Sequence, residues 1–276
     1  MNVAIIGKHS FLGQKIAEKH LLQGDQVIFY SAREDSLKSE YYLSIDQRTS
    51  VIYYLPAIFK SDSTQSFHKM LNVNAFNILD LVKHVLANGM KTKIVFPSTR
   101  LIYGHSNFQQ TEQSPVNPKS EYAKSKYIAE SILVNELFNS NEIDYYILRL
   151  GVLYSDLDSK DENIGTLAIM KKSLSNYGNI ELYGDGNLKR TFTNIHDAAS
   201  VMIDLVKSGA PSGIYNCGGQ DLTLSEVARF LAKDDSMLKF VEWPKEALAN
   251  ESGSTIFCSK KLDKFVSIKY KRLISY

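Results

Sequence analysis

The opening of the chain, MNVAIIGKHSFLG, constrains the fold more than any other stretch. Val3 to Ile6 is a short apolar run with β-branched residues, which reads as a buried strand. Gly7-x-x-Ser10-x-x-Gly13 follows, and from Phe11 to Leu22 apolar residues recur at helical spacing. A second strand is expected from Gln26 to Tyr30, which makes the segment a βαβ unit. At the start of such a helix, free backbone N–H groups and the helix dipole favour a pyrophosphate. Gly7 permits the tight turn, Gly13 permits close helix packing, and Ser10, Phe11 and Leu12 complete the candidate phosphate-binding turn. A Ser10 hydroxyl can itself donate to a phosphate oxygen.

A second feature points to chemistry. Tyr122 and Lys126 lie four positions apart in SEYAKSK, a spacing that puts both on one helix face. Free tyrosine, with a pKa of about 10, is a poor base at neutral pH, and a neighbouring positive charge favours its phenolate. The helix is expected from Pro118 to Leu137, with Asn117 as its cap and Pro118 in the first helical position. Alone, Tyr-x-x-x-Lys is common on surface helices and proves little.

Other segments stand in a fixed order around this pair. They are VIYYLPA (Val51 to Ala57), NVNAFNIL (Asn72 to Leu79), FPSTRLIYG (Phe96 to Gly104), ILRLGVLY (Ile147 to Tyr154), YGDGNLKRTF (Tyr183 to Phe192) and GIYNCGG (Gly213 to Gly219). From Met1 to about Glu226 the chain resembles the extended short-chain dehydrogenase/reductase family of nucleotide-sugar epimerases, dehydratases and reductases. The resemblance implies a Rossmann-type doubly wound parallel α/β sheet with a small C-terminal α/β substrate domain. It places Thr99 at the catalytic hydroxyl position beside Tyr122 and Lys126. Leu55, Pro56 and Ala57 fall on the family's cofactor-contacting turn, Arg190 on the arginine that binds a nucleotide-sugar diphosphate, and Asn163 on a substrate contact. Tyr122 would exchange a proton with the sugar oxygen, Lys126 would lower its pKa and hold the nicotinamide ribose, and Thr99 would orient the reacting oxygen. Ser10 departs from the middle glycine of the family's turn.

Cofactor choice is expected at the end of the second strand, where an acid selects NAD by accepting a ribose 2′-hydroxyl. The chain reads FYSAR there, with Ser31 at the acid position and Arg33 two residues later. Without the carboxylate, and with donors from Ser31 and Arg33, NADP(H) is preferred and NAD(H) is possible. Asp46 sits where the family places an acid near the adenine. Only about twenty residues separate Tyr30 from Val51, too few for a full strand and crossover helix. The sheet edge is therefore expected to be reduced, with a vestigial strand near residues 41–45 or an irregular loop.

Composition excludes other classes. A net charge of +2 gives no nucleic-acid footprint. No apolar run approaches the roughly 18 residues of a membrane span, and no signal-peptide pattern opens the chain. Cys217 and Cys258 have no metal-ligand spacing, so no metal is expected and the thiols suit a cytoplasmic protein. The lysine-rich tail reads as a solvated face.

The domains are expected as residues 1–154 with about 190–218 for the dinucleotide, and about 155–189 with 219–276 for the nucleotide-sugar. A homodimer through helices 72–87 and 118–137 is implied by the resemblance. The family's 4,6-dehydratases carry Asp-Glu directly after the catalytic threonine; here Arg100 and Leu101 stand there, and neither serves elimination of water. Val152 and Asn194 replace sugar-contacting polar residues of the family's 4-epimerases, which suits a less hydroxylated sugar. The expectation is an NADPH-dependent reductase of a nucleotide-linked 4-keto-6-deoxyhexose for surface polysaccharide. The alternatives are a nucleotide-sugar 4-epimerase with tightly held NAD(H), and a non-catalytic dinucleotide sensor, against which the Tyr/Lys pair argues.

Overall fold

The computed structural model describes residues 1–30, 44–59, 67–106, 108–156, 165–245, 247–248 and 253–275. The first unit is as expected: β1 (Asn2–Ile6), α1 (Phe11–Leu22) and β2 (Gln26–Tyr30). The alternation continues through β3 (Val51–Tyr54), α2 (Phe67–Leu71), α3 (Asn77–Ala87), β4 (Thr92–Thr99), α4 (Glu121–Leu137) and β5 (Ile143–Leu150). After β6 (Val152–Tyr154), α5 (Gly165–Tyr177), β7 (Ile180–Tyr183), β8 (Lys189–Asn194) and α6 (Ile195–Lys207), β9 (Gly213–Asn216) completes a six-stranded sheet of order β2-β1-β3-β4-β5-β9. Every pairing in it is parallel.

A parallel sheet needs cover on both faces, so its central strands lose the alternation of polar and apolar residues. All four residues of β3 are buried accordingly. One face packs α1 and α6 through Ile16, Ala17, Ala198 and Met202. The other packs α3 and α4 through Ile78, Leu81, Val82, Ala129 and Leu133. The strand order reverses between β1 and β3, and a crevice opens beyond their carboxyl ends at such a reversal.

The remaining strands build smaller sheets. β6 and β8 pair in parallel, and β10 (Gln220–Thr223) joins β8 antiparallel. β7 pairs with β11 (Leu238–Val241), and α7 (Leu224–Ala232) lies between these strands in the chain. A third core of Val152, Tyr154, Leu167, Met170, Phe192, Leu222 and Val227 holds this part together. Val152, Tyr154 and Phe192 thus sit with the small sheets, at the boundaries drawn at 154 and 190.

Three local details differ from the sequence reading. The helix bearing Tyr122 starts at Glu121, and its cap is Ser120, whose hydroxyl accepts from Ala123 N at 3.1 Å. Asn117 does not cap it; the Asn117 N–H donates to the Ile102 carbonyl instead. The helix expected over 72–87 is a longer run, in which α2 and α3 are joined by one π turn, Asn72–Phe76. At the reduced edge, β2 is the last strand among the described residues; most of the stretch 41–45 lies outside them, and Ile45 is buried in the second core.

Ser10 is the N-cap of α1, its hydroxyl oxygen accepting from Gly13 N at 3.2 Å. Removing that acceptor leaves a helix N–H unpaired, while glycine lets water reach it. Ser10→Ala is therefore expected to lower the unfolding free energy by about 1 kcal/mol, and Ser10→Gly by only a few tenths, in urea titrations.

Candidate active site

The crevice at the β1/β3 reversal is built from two loops. Gly7 has φ +104°, a conformation that L side chains rarely adopt, and its N–H donates to the Tyr30 carbonyl at 2.9 Å. A Cβ on Gly13 would meet Leu55 Cδ1 at 2.8 Å and Ile5 Cγ2 at 3.3 Å. The two glycines let the turn close on Leu55 and Pro56 while its backbone stays open. Phe11 and Leu12 begin α1, whose first-turn N–H groups have no partner within the helix. Leu55 and Pro56 are buried and Ala57 is exposed at the crevice side of β3. These residues fit a dinucleotide pyrophosphate. With its oxygen accepting from Gly13, the Ser10 hydroxyl keeps its proton for another acceptor.

Ser31 and Arg33, the expected 2′-phosphate contacts, lie outside the described residues, as does Asn163. Asp46 is described, and Arg48 engages both its carboxylate oxygens, Nη2 at 2.6 Å and Nε at 3.0 Å. The Arg48 hydrogen bonds hold its pKa down at about 2.

Thr99 lies at the end of β4, and Tyr122 and Lys126 lie on the helix that packs against the turn after it. Thr99 is the last residue of the strand, and its Oγ1 accepts from Leu101 N at 3.3 Å, capping a 3-10 turn over Arg100–Ile102. Helix α4 packs against that turn and brings Tyr122 in its first turn. The half-buried Tyr122 ring meets Phe59 edge to face, with centroids 4.7 Å apart. Lys126 is buried one turn later, its ammonium 3.8 Å from the Phe96 ring centroid.

The electrostatics differ from the sequence expectation. Burial pushes the Tyr122 phenol up to about 12, and the positive charge that opposes this belongs to Arg100. Burial pulls Lys126 down to about 7 against the attraction of Glu130. The Lys126 ammonium lies over the Phe96 ring, one helical turn from Glu130.

Two polar networks support these groups and were not assigned from sequence. Buried Asn74, in the π turn, accepts from Ile58 N at 2.7 Å and donates to the Ile58 carbonyl at 3.0 Å and to Ser125 Oγ at 2.8 Å. Ser125 in turn donates to the Tyr122 carbonyl at 2.8 Å. The loop after β3 is thereby tied to the first turn of α4. Below it, Glu130 and Arg149 form a buried ion pair, Nη2–Oε2 2.6 Å. The Arg149 guanidinium stacks on Tyr103 at 4.6 Å, and Tyr103 donates to Asn216 Oδ1 at 2.7 Å. The signal was present, since Asn74, Tyr103, Arg149 and Asn216 all stand in quoted motifs, but nothing in one sequence links residues so far apart.

On the substrate side, Arg190 is 2% exposed and donates to the Lys189 carbonyl at 3.0 Å and to the Gly253 carbonyl. The segment 253–258 runs beside β8 through Thr255 N to Lys189 O, 2.9 Å, and Thr191 N to Thr255 O, 3.2 Å. Its other edge meets the loop after Thr99 through Gln110 N to Ile256 O and Cys258 N to Gln110 O, both 2.8 Å. Arg100 Nη1 donates to Thr255 Oγ1 at 3.0 Å, so one short segment touches both arginines' surroundings. A separate surface cavity of about 310 Å³, lined by Gly219, Gln220, Asp221, Tyr270, Lys271 and Arg272, includes none of these residues. Among the described residues, no three His, Cys, Asp or Glu side chains gather as metal ligands, and no helix is long and apolar enough to cross a membrane.

Sheet order and the glycine turn together define a Rossmann-type α/β protein, with Tyr122 and Lys126 on the helix expected of a short-chain dehydrogenase/reductase. Residues 3–218 match the NAD dependent epimerase/dehydratase family, and the chain belongs to it. A Methanocaldococcus jannaschii protein provisionally named a UDP-glucose 4-epimerase is 30% identical over 161 residues, 56% of this chain and 50% of that one. The dTDP-4-dehydro-6-deoxyglucose reductase of Escherichia coli is 25% identical over 182 residues, 64% of this chain and 56% of the reductase. The chain thus matches little more than half the length of these relatives. A crystal structure of a dTDP-glucose 4,6-dehydratase double mutant from Streptomyces venezuelae, with NAD bound, shares the fold. Its TM-score is 0.80 at 21% identity, over 100% of this chain and 93% of that one.

Lys126 yields a prediction for the protein without cofactor. Its folded pKa lies below its unfolded value, so between about pH 7 and about 10 the unfolded chain binds more protons. The contribution of this group to stability is least below pH 7 and is recovered as pH rises through that window. Lys126→Met is expected to remove this slope, giving a variant more stable than wild type at pH 7 by an amount that shrinks toward pH 10. Denaturant midpoints measured across the range check it; an unchanged slope counts against a charge burial cost at Lys126.

Proposed function

We propose that this protein is an NAD(P)-dependent oxidoreductase of nucleotide-diphosphate sugars. Its particular activity is then an NADPH-dependent reduction of a nucleotide-linked 4-keto-6-deoxyhexose in surface-polysaccharide synthesis. The observation that carries this reading is the turn after Thr99, against which α4 packs with Tyr122 in its own first turn. A phenol there can give a proton to a ketone oxygen, as a reduction needs. Arg100 and Leu101, next in the chain, offer no carboxyl pair for elimination.

In this mechanism the Thr99 hydroxyl and the Tyr122 phenol both hydrogen-bond the ketone oxygen and fix the carbonyl face. A reduced dinucleotide, when bound, supplies the hydride. Gly7, Ser10, Phe11, Leu12 and Gly13 would hold its pyrophosphate on the helix N-terminus, together with Leu55, Pro56 and Ala57. Lys126 would serve the nicotinamide ribose and Asp46 the adenine. Tyr122 gives its proton to the oxygen as the carbonyl carbon is reduced. Arg190, with Asn163, serves the nucleotide-sugar diphosphate and sugar. Arg190 Nη1 donates to two backbone carbonyls here, which fixes the orientation of its guanidinium. The NAD-bound structural neighbour and the matched reductase support these assignments, and the matched epimerase keeps 4-epimerisation with held NAD(H) as the second reading. Partly exposed apolar residues Phe76 and Leu86 on the run 72–87, with Ile128 and Ile132 on α4, suit a homodimer face.

The expected result with nucleotide-linked 4-keto sugars is one NADPH oxidised per ketone reduced, and a loss of about 10²- to 10⁴-fold in kcat for Tyr122→Phe. Turnover without net dinucleotide consumption, by protein that purifies with its cofactor, establishes the epimerase instead. Arg33→Ala is expected to weaken NADP(H) and spare NAD(H). Binding of NAD tighter than NADP and indifferent to that change removes the NADP(H) preference, and sedimentation as monomer alone removes the dimer.

A further inference from the structure

The loop that leaves the catalytic strand passes close to the substrate-side arginine. After the 3-10 turn over Arg100–Ile102, Tyr103 is buried and donates to Asn216 Oδ1 at 2.7 Å. Gly104 follows with φ +68°, and a Cβ there would meet the Asn117 carbonyl oxygen at 2.6 Å. The chain is thus pinned just before His105, whose imidazole reaches the segment 253–258. Gly253 N donates to His105 Nδ1 at 3.1 Å, and Ser106 N donates to the Ser254 carbonyl at 3.3 Å. The ring nitrogen that accepts the Gly253 bond carries no hydrogen of its own.

Gly253 also serves the other half of the molecule. Its carbonyl accepts from Arg190 Nη1, which is buried at the start of β8. The residues that follow are fixed on that strand, with Lys189 N donating to Ser254 Oγ at 3.0 Å and Thr255 N to the Lys189 carbonyl at 2.9 Å. On its other side Gly253 is held by His105. Only glycine fits between them: a Cβ at 253 would lie 2.2 Å from His105 Cβ and 2.6 Å from its Cγ.

We propose that His105 is a positioning residue for Arg190: by holding Gly253 from the loop after Thr99, it sets the carbonyl that orients the guanidinium, and so tunes the affinity of the site for a nucleoside diphosphate. This rests on the reading of Arg190 as the group that meets the nucleotide-sugar diphosphate. His105 is exposed, so without its acceptor the Gly253 N–H turns to water and the residue gains freedom. Arg190 then loses a fixed carbonyl, and the ligand must order the guanidinium at a cost in affinity. The same loop carries the Thr99 hydroxyl and His105, so the reacting end and the diphosphate end of a substrate are referred to one piece of backbone.

The test titrates the full chain with uridine, thymidine and guanosine diphosphates in a calorimeter. His105→Phe keeps a ring and removes the acceptor; it is expected to weaken the best-bound diphosphate by about fivefold. His105→Asn presents an amide oxygen at the same reach from the backbone and is expected to restore most of that affinity. Gly253→Ala pushes His105 aside and is expected to weaken binding at least as much. In turnover of a nucleotide-linked keto sugar, His105→Phe is expected to raise KM by the same factor and to hold kcat within about twofold. Beside Arg190→Lys, the further loss caused by His105→Phe is expected to vanish, as for two groups acting through one contact. Affinity unmoved by His105→Phe overturns the proposal, and so does a loss that asparagine does not restore or that persists in full beside Arg190→Lys. Affinities untouched by Arg190→Gln, or no binding of any of the three diphosphates, sink the parent reading and the proposal with it.

Discussion

The buried pairing of Glu130 with Arg149 fixes the geometry on which the site depends. It joins the face of α4 that carries Lys126 to β5, between β4 and the edge strand β9, with both side chains almost fully buried. Such a pair adds little net stability, since desolvation offsets its attraction, but removing one partner costs about 3–5 kcal/mol because a charge is stranded. Its value is registry. Helix α4 cannot slide along or rotate over the sheet without breaking two to three short hydrogen bonds at once. Tyr122 and Lys126 are therefore held at defined heights above the end of β4. The same guanidinium rests on Tyr103, so the pair also braces the loop that follows Thr99.

Asn74 does for the cofactor side what that pair does for the catalytic helix. A π turn widens the helix locally, and such turns recur where a side chain must reach an unusual direction. Here one amide joins the loop after β3 to Ser125, and Ser125 joins it to Tyr122. The loop after β3 and the first turn of α4 are thereby parts of one hydrogen-bonded unit. Being fully buried, Asn74 has no water to substitute for a lost partner.

The parallel sheet was legible because its cause is local. Apolar runs such as Val3–Ile6 and Val51–Tyr54, each followed by a turn and a periodic helix, permit few other arrangements, and β1, α1, β2 and β3 formed where the pattern placed them. Thr99, Tyr122 and Lys126 were legible as a group through motif order, and α4 packs against the turn that follows Thr99. What one sequence did not carry was the direction of long side chains. Lys126 is spaced to serve Tyr122, and its four-carbon stem takes the ammonium over the Phe96 ring, while Arg100, read as a missing acid, reaches Thr255. The cap of α4 was misplaced because Asn117, Ser120 and Pro118 all suit helix starts, and only tertiary contact with Ile102 decides among them. The link from Arg100 to Thr255 spans 155 positions and has no periodicity to betray it.

The segment 253–258 has a mechanical consequence. It is hydrogen-bonded along one edge to the loop that leaves the catalytic strand and along the other to β8, so it acts as a seam between the two halves of the molecule. A hinge needs a narrow, lightly bonded neck, and here the neck is sewn shut on both sides. Strain or substitution within this one segment is then felt at once on both of its edges, at β8 and at the loop beyond Thr99.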